Sequence, residues 1–225
     1  MKVSIIIPFY NEQENVVSVI EEVRRTNPDA EIIAVDDGST DTTPQQLASQ
    51  KNVTVFTFPK NLGQSAALYY GLNHATGDIC VMMDGDGQND PADIPTLIQH
   101  IDRADLICGY RKNRQDSWKK KIASRIANNI RRSILHDGVR DTGCTLKAMR
   151  SEHVRYLIPF NALHRFIPAL ICSAGLTIFE VPVNHRPRKA GQSKYTIGGR
   201  ALRGIFDLFG VLWLTKRRIL WHLPR

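Results

Sequence analysis

The sequence predicts an α/β protein with a mainly parallel central sheet and helices on both faces of that sheet. Two observations carry this prediction. Short apolar runs alternate with segments of helical period from the first residues onward, which is the rhythm of βαβ units. The apolar runs are also nearly continuous, as expected of strands that are covered on both faces.

The elements follow in order along the first 110 residues. Residues 3–7 predict a strand, and Val16, Val17, Ile20 and Val23 then recur at helical spacing and predict the inward face of a helix. The remaining predicted elements are strands at 31–35, 53–58, 79–83 and 105–108, a helix at 65–75, and a helix from Pro91 with Ile94, Leu97, Ile98 and Ile101 inward.

The pattern changes after residue 110. Residues 111–132 are basic and helical in period, and a later strand at 177–183 leads into a polar loop at 185–194. We therefore predict one catalytic domain over residues 1–200, followed by a basic amphipathic helical portion over residues 201–225. Its apolar positions at helical spacing and its cluster of cations suit a helix that lies on a membrane surface.

The net charge of +8 is unevenly distributed. Residues 1–100 carry 5 Lys and Arg against 14 Asp and Glu, a balance of −9, whereas residues 101–225 carry 25 against 8, a balance of +17. An acidic half suits a metal that bridges to a nucleotide diphosphate, and a basic half suits an acceptor phosphate or a lipid headgroup. Nucleic acid is disfavoured as a partner because interleaved aromatic residues and zinc or helix-turn-helix signatures are missing.

The four cysteines predict a reduced protein without a zinc site. They are widely spaced, lie mostly in apolar segments and form no Cys-x-x-Cys pair. The first apolar run has five residues, too few for a signal peptide, and no uncharged apolar run reaches the roughly 18 residues of a membrane span. These features predict a location in the cytoplasm.

Residues 84–88, Asp-Gly-Asp-Gly-Gln, follow the predicted strand at 79–83 and place two carboxylates and an amide at its carboxyl end. Ligands bind there in open α/β sheets, and hard oxygen ligands suit Mg²⁺ or Mn²⁺. Such a cluster can equally be a plain turn, since Asp and Gly tolerate turn geometry. A second acidic turn at 36–41, after another strand, favours the metal interpretation. His164 and His185 lack partners at metal spacing and are interpreted as structural.

Five motifs follow one another along the chain. They are Ile-Pro-Phe-Tyr-Asn-Glu at 7–12, Val-Asp-Asp-Gly-Ser-Thr-Asp at 35–41, Asn-Leu-Gly at 61–63, Asp-Gly-Asp-Gly-Gln at 84–88 and Gly-Gln-Ser-Lys-Tyr at 191–195. This ordered set resembles the inverting family 2 glycosyltransferases of GT-A fold, and within them the polyprenyl-phosphate glycosyltransferases such as the dolichol-phosphate mannose synthase group. The resemblance covers nearly the whole chain.

The resemblance implies a role for each matching residue. The donor nucleotide would be held by Pro8, Tyr10, Glu12, Asp37 and Asp84, and the divalent metal, Mg²⁺ or Mn²⁺, by Asp84, Asp86 and Gln88. Catalytic roles would belong to Asp86, Arg111 and Asp141, and the acceptor phosphate would be bound by Arg125, Asn129, Arg188 and Lys194. The Gln-x-x-Arg-Trp motif of processive synthases is missing, which implies one sugar per turnover.

The expected reaction needs positively charged groups fixed near the two phosphate-containing substrates, and it needs no general base. A lipid monophosphate has a second pKa of about 6 and is largely dianionic at neutral pH, so it is already a nucleophile. At about 4 Å and an effective dielectric of about 20, each unscreened pair of like charges costs about 4 kcal/mol. Arg111, Arg125 and Arg188 on one side and a metal on the other would offset that repulsion. Attack opposite the leaving group inverts the anomeric centre.

Other functions and other interpretations stay open from the sequence alone. A nucleotidyltransferase that makes nucleotide sugars shares the βαβ start, and a non-catalytic lipid-binding module would share the basic half. The basic run before Arg125 could be a solvated helix face, and the helix after residue 200 could pack on the core or in a dimer. Expected partners are a nucleotide-diphosphate sugar, a polyprenyl phosphate, an anionic membrane surface, and a second copy of the chain or an integral membrane protein.

Overall fold

The structure, a computed structural model, describes residues 1–112, 128–187 and 197–219. Within residues 197–219, side chains are described from residue 204 onward. Seven strands form one sheet in the order β3-β2-β1-β4-β6-β5-β7, in which β6 alone is antiparallel to its neighbours β4 and β5. The strands are β1 (Val3–Phe9), β2 (Glu31–Asp36), β3 (Thr54–Thr57), β4 (Ile79–Met82), β5 (Leu106–Arg111), β6 (Lys147–Arg150) and β7 (Ile178–Val183). The mainly parallel α/β sheet predicted from the sequence is confirmed.

Helices cover both faces of the sheet. The described helices are α1 (Val16–Thr26), α2 (Thr43–Ala48), α3 (Gln64–His74), α4 (Ile94–Ile98), α5 (128–135), α6 (Leu163–Ser173) and α7 (Ile197–Arg217), with 3₁₀ turns at Pro91–Asp93 and Ser151–Tyr156. Buried residues of α1, α2 and α4 pack on one face, and those of α3 and α6 on the other.

The side chains of β1 alternate between the two faces of the sheet, and both faces are apolar. Ile5, Ile7 and Phe9 point into the core beneath α1, whereas Ile6 points into the core beneath α3. All four side chains are buried, and full burial of such a side chain stabilises the fold by about 1.5–3 kcal/mol. A two-sided core thus explains the continuous apolar runs of the strands.

Several details of the predicted elements were wrong. Val17, predicted to face inward, is 41% exposed, and Val19 takes its place in the core. The helix predicted from Pro91 is one 3₁₀ turn and the five residues of α4, with Ile101 buried beyond its end. Strand β6 and helix α6 were not predicted at all. Residues 113–127 of the predicted basic helix lie outside the described residues.

Among its described side chains, helix α7 packs on α6 through one face. Leu208 and Val211 are buried against Ala162, Phe166 and Ala169. In the part of the chain that the structure describes, no helix has both the length and the hydropathy required for a bilayer span.

The sheet topology places several loops side by side. The carboxyl ends of the parallel strands lie at one edge of the sheet, and β6 begins at that same edge because it runs in the opposite direction. The loops after β1, β2, β4 and β5 therefore meet the segment that precedes β6, and this edge is where open α/β sheets bind ligands.

Candidate active site

The loop of residues 84–88 holds its first carboxylate firmly. Both oxygens of Asp84 accept hydrogen bonds, Oδ1 from Gln64 Nε2 at 2.6 Å and Oδ2 from Thr145 Oγ1 at 2.7 Å. Asp86 accepts from the backbone N–H of Gln88 at 3.1 Å. Residues from two distant parts of the chain therefore converge on this loop, which is more than a plain turn requires.

Gly85 lets the loop lie close to the end of β1. A Cβ atom at this position would lie 2.6 Å from the ring of Phe9 and 2.7 Å from the carbonyl oxygen of Pro8. Real Cβ contacts are longer than this, so only glycine fits without moving β1. The close approach brings Asp84 and Asp86 beside the loop that contains Tyr10.

The charges at this loop suit a divalent cation. Burial and the neighbouring charge of Asp86 raise the pKa of Asp84 to about 6, while Lys147 and Arg111 act in the opposite direction. The described residues contain no cluster of three or more His, Cys, Asp or Glu side chains that could enclose a metal. Two repelling carboxylates and an amide fit Mg²⁺ or Mn²⁺, which are commonly bound by one or two carboxylates together with substrate phosphates.

The Asn-Leu-Gly motif at 61–63 folds over Asp37. The buried carboxylate of Asp37 accepts from Asn61 Nδ2 at 2.9 Å, from the N–H of Leu62 at 2.7 Å and from the N–H of Gly63. Burial raises the pKa of Asp37, although these hydrogen bonds oppose the shift. The contribution of Asp37 to nucleotide binding stays a prediction.

The start of α3 links the two acidic positions. The N–H of Gly63 contacts Asp37, and the side chain of the next residue, Gln64, contacts Asp84. Consecutive residues therefore join the predicted nucleoside side of the site to the predicted metal side. This bridge brings together two sets of residues that lie almost fifty positions apart in the sequence.

The loop after β1 contains the other residues predicted to bind the nucleotide. Pro8 is buried within β1, Tyr10 is half-buried directly after it, and Glu12 accepts from Asn15 Nδ2 at 2.6 Å. The N–H of Asn11 donates to Ser39 Oγ at 2.9 Å, which ties this loop to the loop after β2. The predicted nucleotide ligands thus share one edge of the sheet, and their contacts with a nucleotide remain predictions.

Arg111 and Asp141 bind each other. Arg111 is the last residue of β5, and its Nε and Nη2 atoms donate to Asp141 Oδ2 and Oδ1 at 2.7 and 2.8 Å. The two side chains are only 14% and 9% exposed. A paired geometry of this kind fixes the guanidinium plane. What the structure shows for Asp141 is that it orients Arg111, and a direct role in catalysis stays a prediction.

The segment 141–147 joins Arg111 to the 84–88 loop. Asp141 holds Arg111, and Thr145 four residues later donates to Asp84. Gly143 leaves room for the guanidinium, because a Cβ there would lie 2.8 Å from Arg111 Nη2. At the start of β6, Lys147 is buried and donates to the carbonyl of Cys144.

The residues predicted to bind the acceptor phosphate are only partly described. Arg125, Arg188 and Lys194 lie outside the described residues. Asn129 is exposed on α5 and lines an open groove of about 450 Å³ with Arg132, Ser133, His136 and Gly138. Its neighbour Asn128 accepts from Thr142 at 3.2 Å, which ties α5 to the segment that holds Arg111.

Sequence reasoning missed two residues of the site. Gln64 and Thr145 hold Asp84, and Gln64 directly follows the recognised Asn-Leu-Gly motif, which is the one signal that could have found it. His164, interpreted as structural, has its Nδ1 atom 2.8 Å from Ser65 Oγ and so connects α6 to the first turn of α3.

Comparison with known proteins identifies the family. The sequence profile of glycosyl transferase family 2 matches residues 4–158, which run from the second residue of β1 to beyond the end of β6. The chain belongs to glycosyl transferase family 2. This glycosyltransferase is also similar to an undecaprenyl-phosphate 4-deoxy-4-formamido-L-arabinose transferase from Enterobacter sp. (strain 638). The two are 36% identical over an alignment of 232 positions, which covers 97% of this chain and 70% of the relative.

Solved structures share the fold of this glycosyltransferase. Glucosyl-3-phosphoglycerate synthase from Mycobacterium tuberculosis, in complex with Mn²⁺, UDP and glucosyl-3-phosphoglycerate, matches with a TM-score of 0.70 and 18% identity over 95% of this chain and 79% of the other. The same enzyme with Mg²⁺ and UDP matches with a TM-score of 0.70 and 19% identity over 93% and 79%. At this identity the match establishes the fold and nothing further.

Proposed function

We propose that this glycosyltransferase moves one sugar from a nucleotide-diphosphate sugar to a polyprenyl phosphate, with inversion at the anomeric carbon. The observation that carries the proposal is the segment 141–147, which fixes a cation and a carboxylate in one site: Asp141 orients Arg111, and Thr145 holds Asp84. The relative that shares 36% identity is named for an undecaprenyl-phosphate acceptor, which supports the same acceptor class here.

The donor side would use the 84–88 loop. Asp84, Asp86 and Gln88 would hold Mg²⁺ or Mn²⁺, and two glucosyl-3-phosphoglycerate synthase structures with UDP contain Mn²⁺ and Mg²⁺, respectively. When bound, such an ion stabilises the negative charge of a diphosphate leaving group. The protein's own contribution is orientation, because Gln64 and Thr145 keep both oxygens of Asp84 in place before the donor arrives.

The acceptor side would use Arg111. A polyprenyl phosphate is largely dianionic at neutral pH, so its oxygen can attack without losing a proton to the protein. The approach of this dianion to a diphosphate is repulsive, and a guanidinium that is already fixed by Asp141 offsets that repulsion without reorganising. This division of roles explains why the chemistry needs no His or Glu as a general base.

We also propose that α7 attaches the enzyme to the cytoplasmic face of an anionic membrane. Opposite the face that packs on α6, the helix exposes Ile205, Phe206, Phe209 and Trp213, each more than half exposed. Exposed cations lie in the last turn of the same helix. An apolar stripe beside cations is the pattern of a helix that lies in a lipid interface, where each cation contributes about 1 kcal/mol against anionic lipid.

One cation of the predicted cluster has a different role. Arg218 donates to the carbonyl oxygen of Leu170 at 3.2 Å and lies toward the ring of Tyr156, so it holds the end of α7 against α6. Burial lowers the pKa of Arg218. Lys216 and Arg217 are therefore the residues proposed to face the lipid headgroups, and Trp213 lies one turn before them.

The membrane proposal predicts salt-sensitive sedimentation with vesicles that contain anionic lipid. Changing Lys216 and Arg217 to Glu should reduce sedimentation at low salt by about tenfold or more, because reversing two cations removes attraction of about 2 kcal/mol and adds repulsion. The matched control changes Lys51 and Lys60 to Glu, two exposed cations away from α7, and should sediment like the wild type. A wild-type protein that stays in the supernatant at low salt would rule out the interfacial helix.

The proposed reaction can be tested with a panel of labelled nucleotide sugars. The purified protein is incubated with Mg²⁺ or Mn²⁺, undecaprenyl phosphate and one donor at a time, and the mixture is extracted with organic solvent. We expect label from one donor in the organic phase, released again by mild acid as expected for a glycosyl phosphate. Release of free sugar into water, with no labelled lipid from any donor, would contradict the proposal.

A further inference from the structure

Residues 184–187, directly after β7, lie along the loop that follows β4. The N–H and the side-chain amide of Asn184 donate to Asp93 at 2.7 and 3.0 Å, and His185 forms a backbone bridge with Asn89. The N–H of Arg186 donates to the carbonyl oxygen of Gln88 at 3.0 Å. This segment therefore contacts the last residue of the 84–88 loop directly.

The side chain of Arg186 binds two carboxylates from different parts of the chain. Its Nη1 atom lies 2.7 Å from both oxygens of Glu22 on α1, and its Nη2 atom lies 2.7 Å from Asp90 Oδ1. The three side chains are 28%, 18% and 14% exposed. Arginine can make this connection because its planar fork presents several donors in fixed directions, which the single ammonium of lysine does not.

The backbone of Gln88 is held from both sides. Its N–H donates to Asp86 Oδ1, and its carbonyl accepts from the backbone N–H of Arg186, whose side chain binds Glu22 on α1. The preceding residue, Gly87, has a φ of 75°, a conformation that only glycine adopts without strain, so the loop needs outside contacts to select one arrangement. Arg186 supplies such a contact through its backbone N–H, and its side chain binds Glu22 on α1.

We propose that Arg186 is a positioning residue that fixes the 84–88 loop for metal-dependent binding of the donor. The proposal rests on the proposed function, in which that loop holds the metal. Isolated surface ion pairs contribute little to the stability of a protein, but Arg186 joins α1 through Glu22 to the segment that follows the 84–88 loop through Asp90.

The test is nucleotide binding rather than catalysis. Calorimetry measures the affinity of whichever of UDP and GDP binds the wild type, once with Mn²⁺ and once with EDTA. Arg186→Met should weaken the Mn²⁺-dependent affinity by about 10–100-fold, the usual effect of losing an outer partner of a metal site, and leave the affinity in EDTA unchanged. Glu22→Gln should act in the same direction, and combining it with Arg186→Met should add little.

A matched control separates positioning from general stability. Arg150 also pairs with an aspartate, Asp102, but it lies opposite Ile79 at the other edge of the sheet, so Arg150→Met should bind nucleotide like the wild type. If Arg186→Met does not fold, Glu22→Gln tests the same proposal, because it removes the charge of the partner that Arg186 binds on α1. Folded variants of Arg186 and Glu22 with wild-type Mn²⁺-dependent affinity would overturn the positioning role alone. A wild type whose nucleotide affinity is the same in Mn²⁺ and EDTA would overturn the metal site as well.

Discussion

Replacing Asp86 by asparagine is expected to lower sugar transfer by about a thousandfold or more while the protein remains folded. Metal ions supply several kcal/mol of stabilisation to a charged transition state, and each 1.4 kcal/mol or so corresponds to a factor of ten in rate. Asparagine keeps the shape of the side chain and an oxygen that can accept from the N–H of Gln88, as Asp86 does at 3.1 Å. The loop should therefore survive without its second negative charge.

The measurement is the initial rate of label transfer to lipid at saturating Mg²⁺ or Mn²⁺, with thermal unfolding recorded for each protein. Asp102→Asn is the matched control, because Asp102 is an exposed carboxylate away from the loops of the site, and it should keep the wild-type rate. EDTA should abolish wild-type transfer, and added metal should restore it. Full activity of Asp86→Asn in the presence of chelator would remove the metal from the proposed mechanism.

Replacing Arg111 by methionine or lysine is expected to reduce kcat by about 10²–10³-fold, the usual effect of removing one fixed donor from a transition state. Lysine should not rescue the rate, because the paired contacts of Arg111 with both oxygens of Asp141 need the guanidinium fork. Methionine also leaves Asp141 charged and without its cation, and loss of one partner of a buried pair costs about 3–5 kcal/mol. The unfolding temperature of Arg111→Met should therefore fall together with its kcat.

Asp141→Asn distinguishes orientation of Arg111 from acid–base catalysis. If Asp141 acts by orienting Arg111, then Asp141→Asn lowers kcat in the same direction and adds little in combination with Arg111→Met. Arg140→Met is the control, because Arg140 is exposed, pairs with Glu180 and should leave kcat unchanged. Normal donor affinity is expected in all of these variants. A collapse of donor affinity in Arg111→Met would place this residue on the donor side instead.

The sequence predicts β1, β2, β4 and β5 well because each is a continuous apolar run that is covered on both faces. It does not predict β6, whose four residues begin with Lys147 and end with Arg150 and so hide the apolar pattern. It also does not predict α6, which contains Pro168, a residue that usually argues against a helix interior. Tertiary packing on the sheet stabilises both elements.

The acidic ends of β2 and β4 could be placed in one site because the carboxyl ends of parallel strands share an edge. The hydrogen-bond partners of those acidic residues could not be predicted from the sequence. Thr145 and Gln64 reach Asp84 from positions 61 and 20 residues away, and only Gln64, which follows the Asn-Leu-Gly motif, has a sequence signal beside it. The pairing of Arg111 with Asp141 was likewise invisible, because both residues were assigned roles toward ligands and their contact with each other depends on the turn before β6.

The most direct test of the proposed reaction compares two acceptors that differ only in the phosphate. The enzyme, its metal and the nucleotide sugar that it uses are incubated with undecaprenyl phosphate or with undecaprenol in the same vesicles, and labelled lipid is measured over time. A site that relies on an ionised phosphate and on Arg111, without a general base, predicts transfer to the phosphate and none above background to the alcohol. Equal transfer to both lipids would contradict this account.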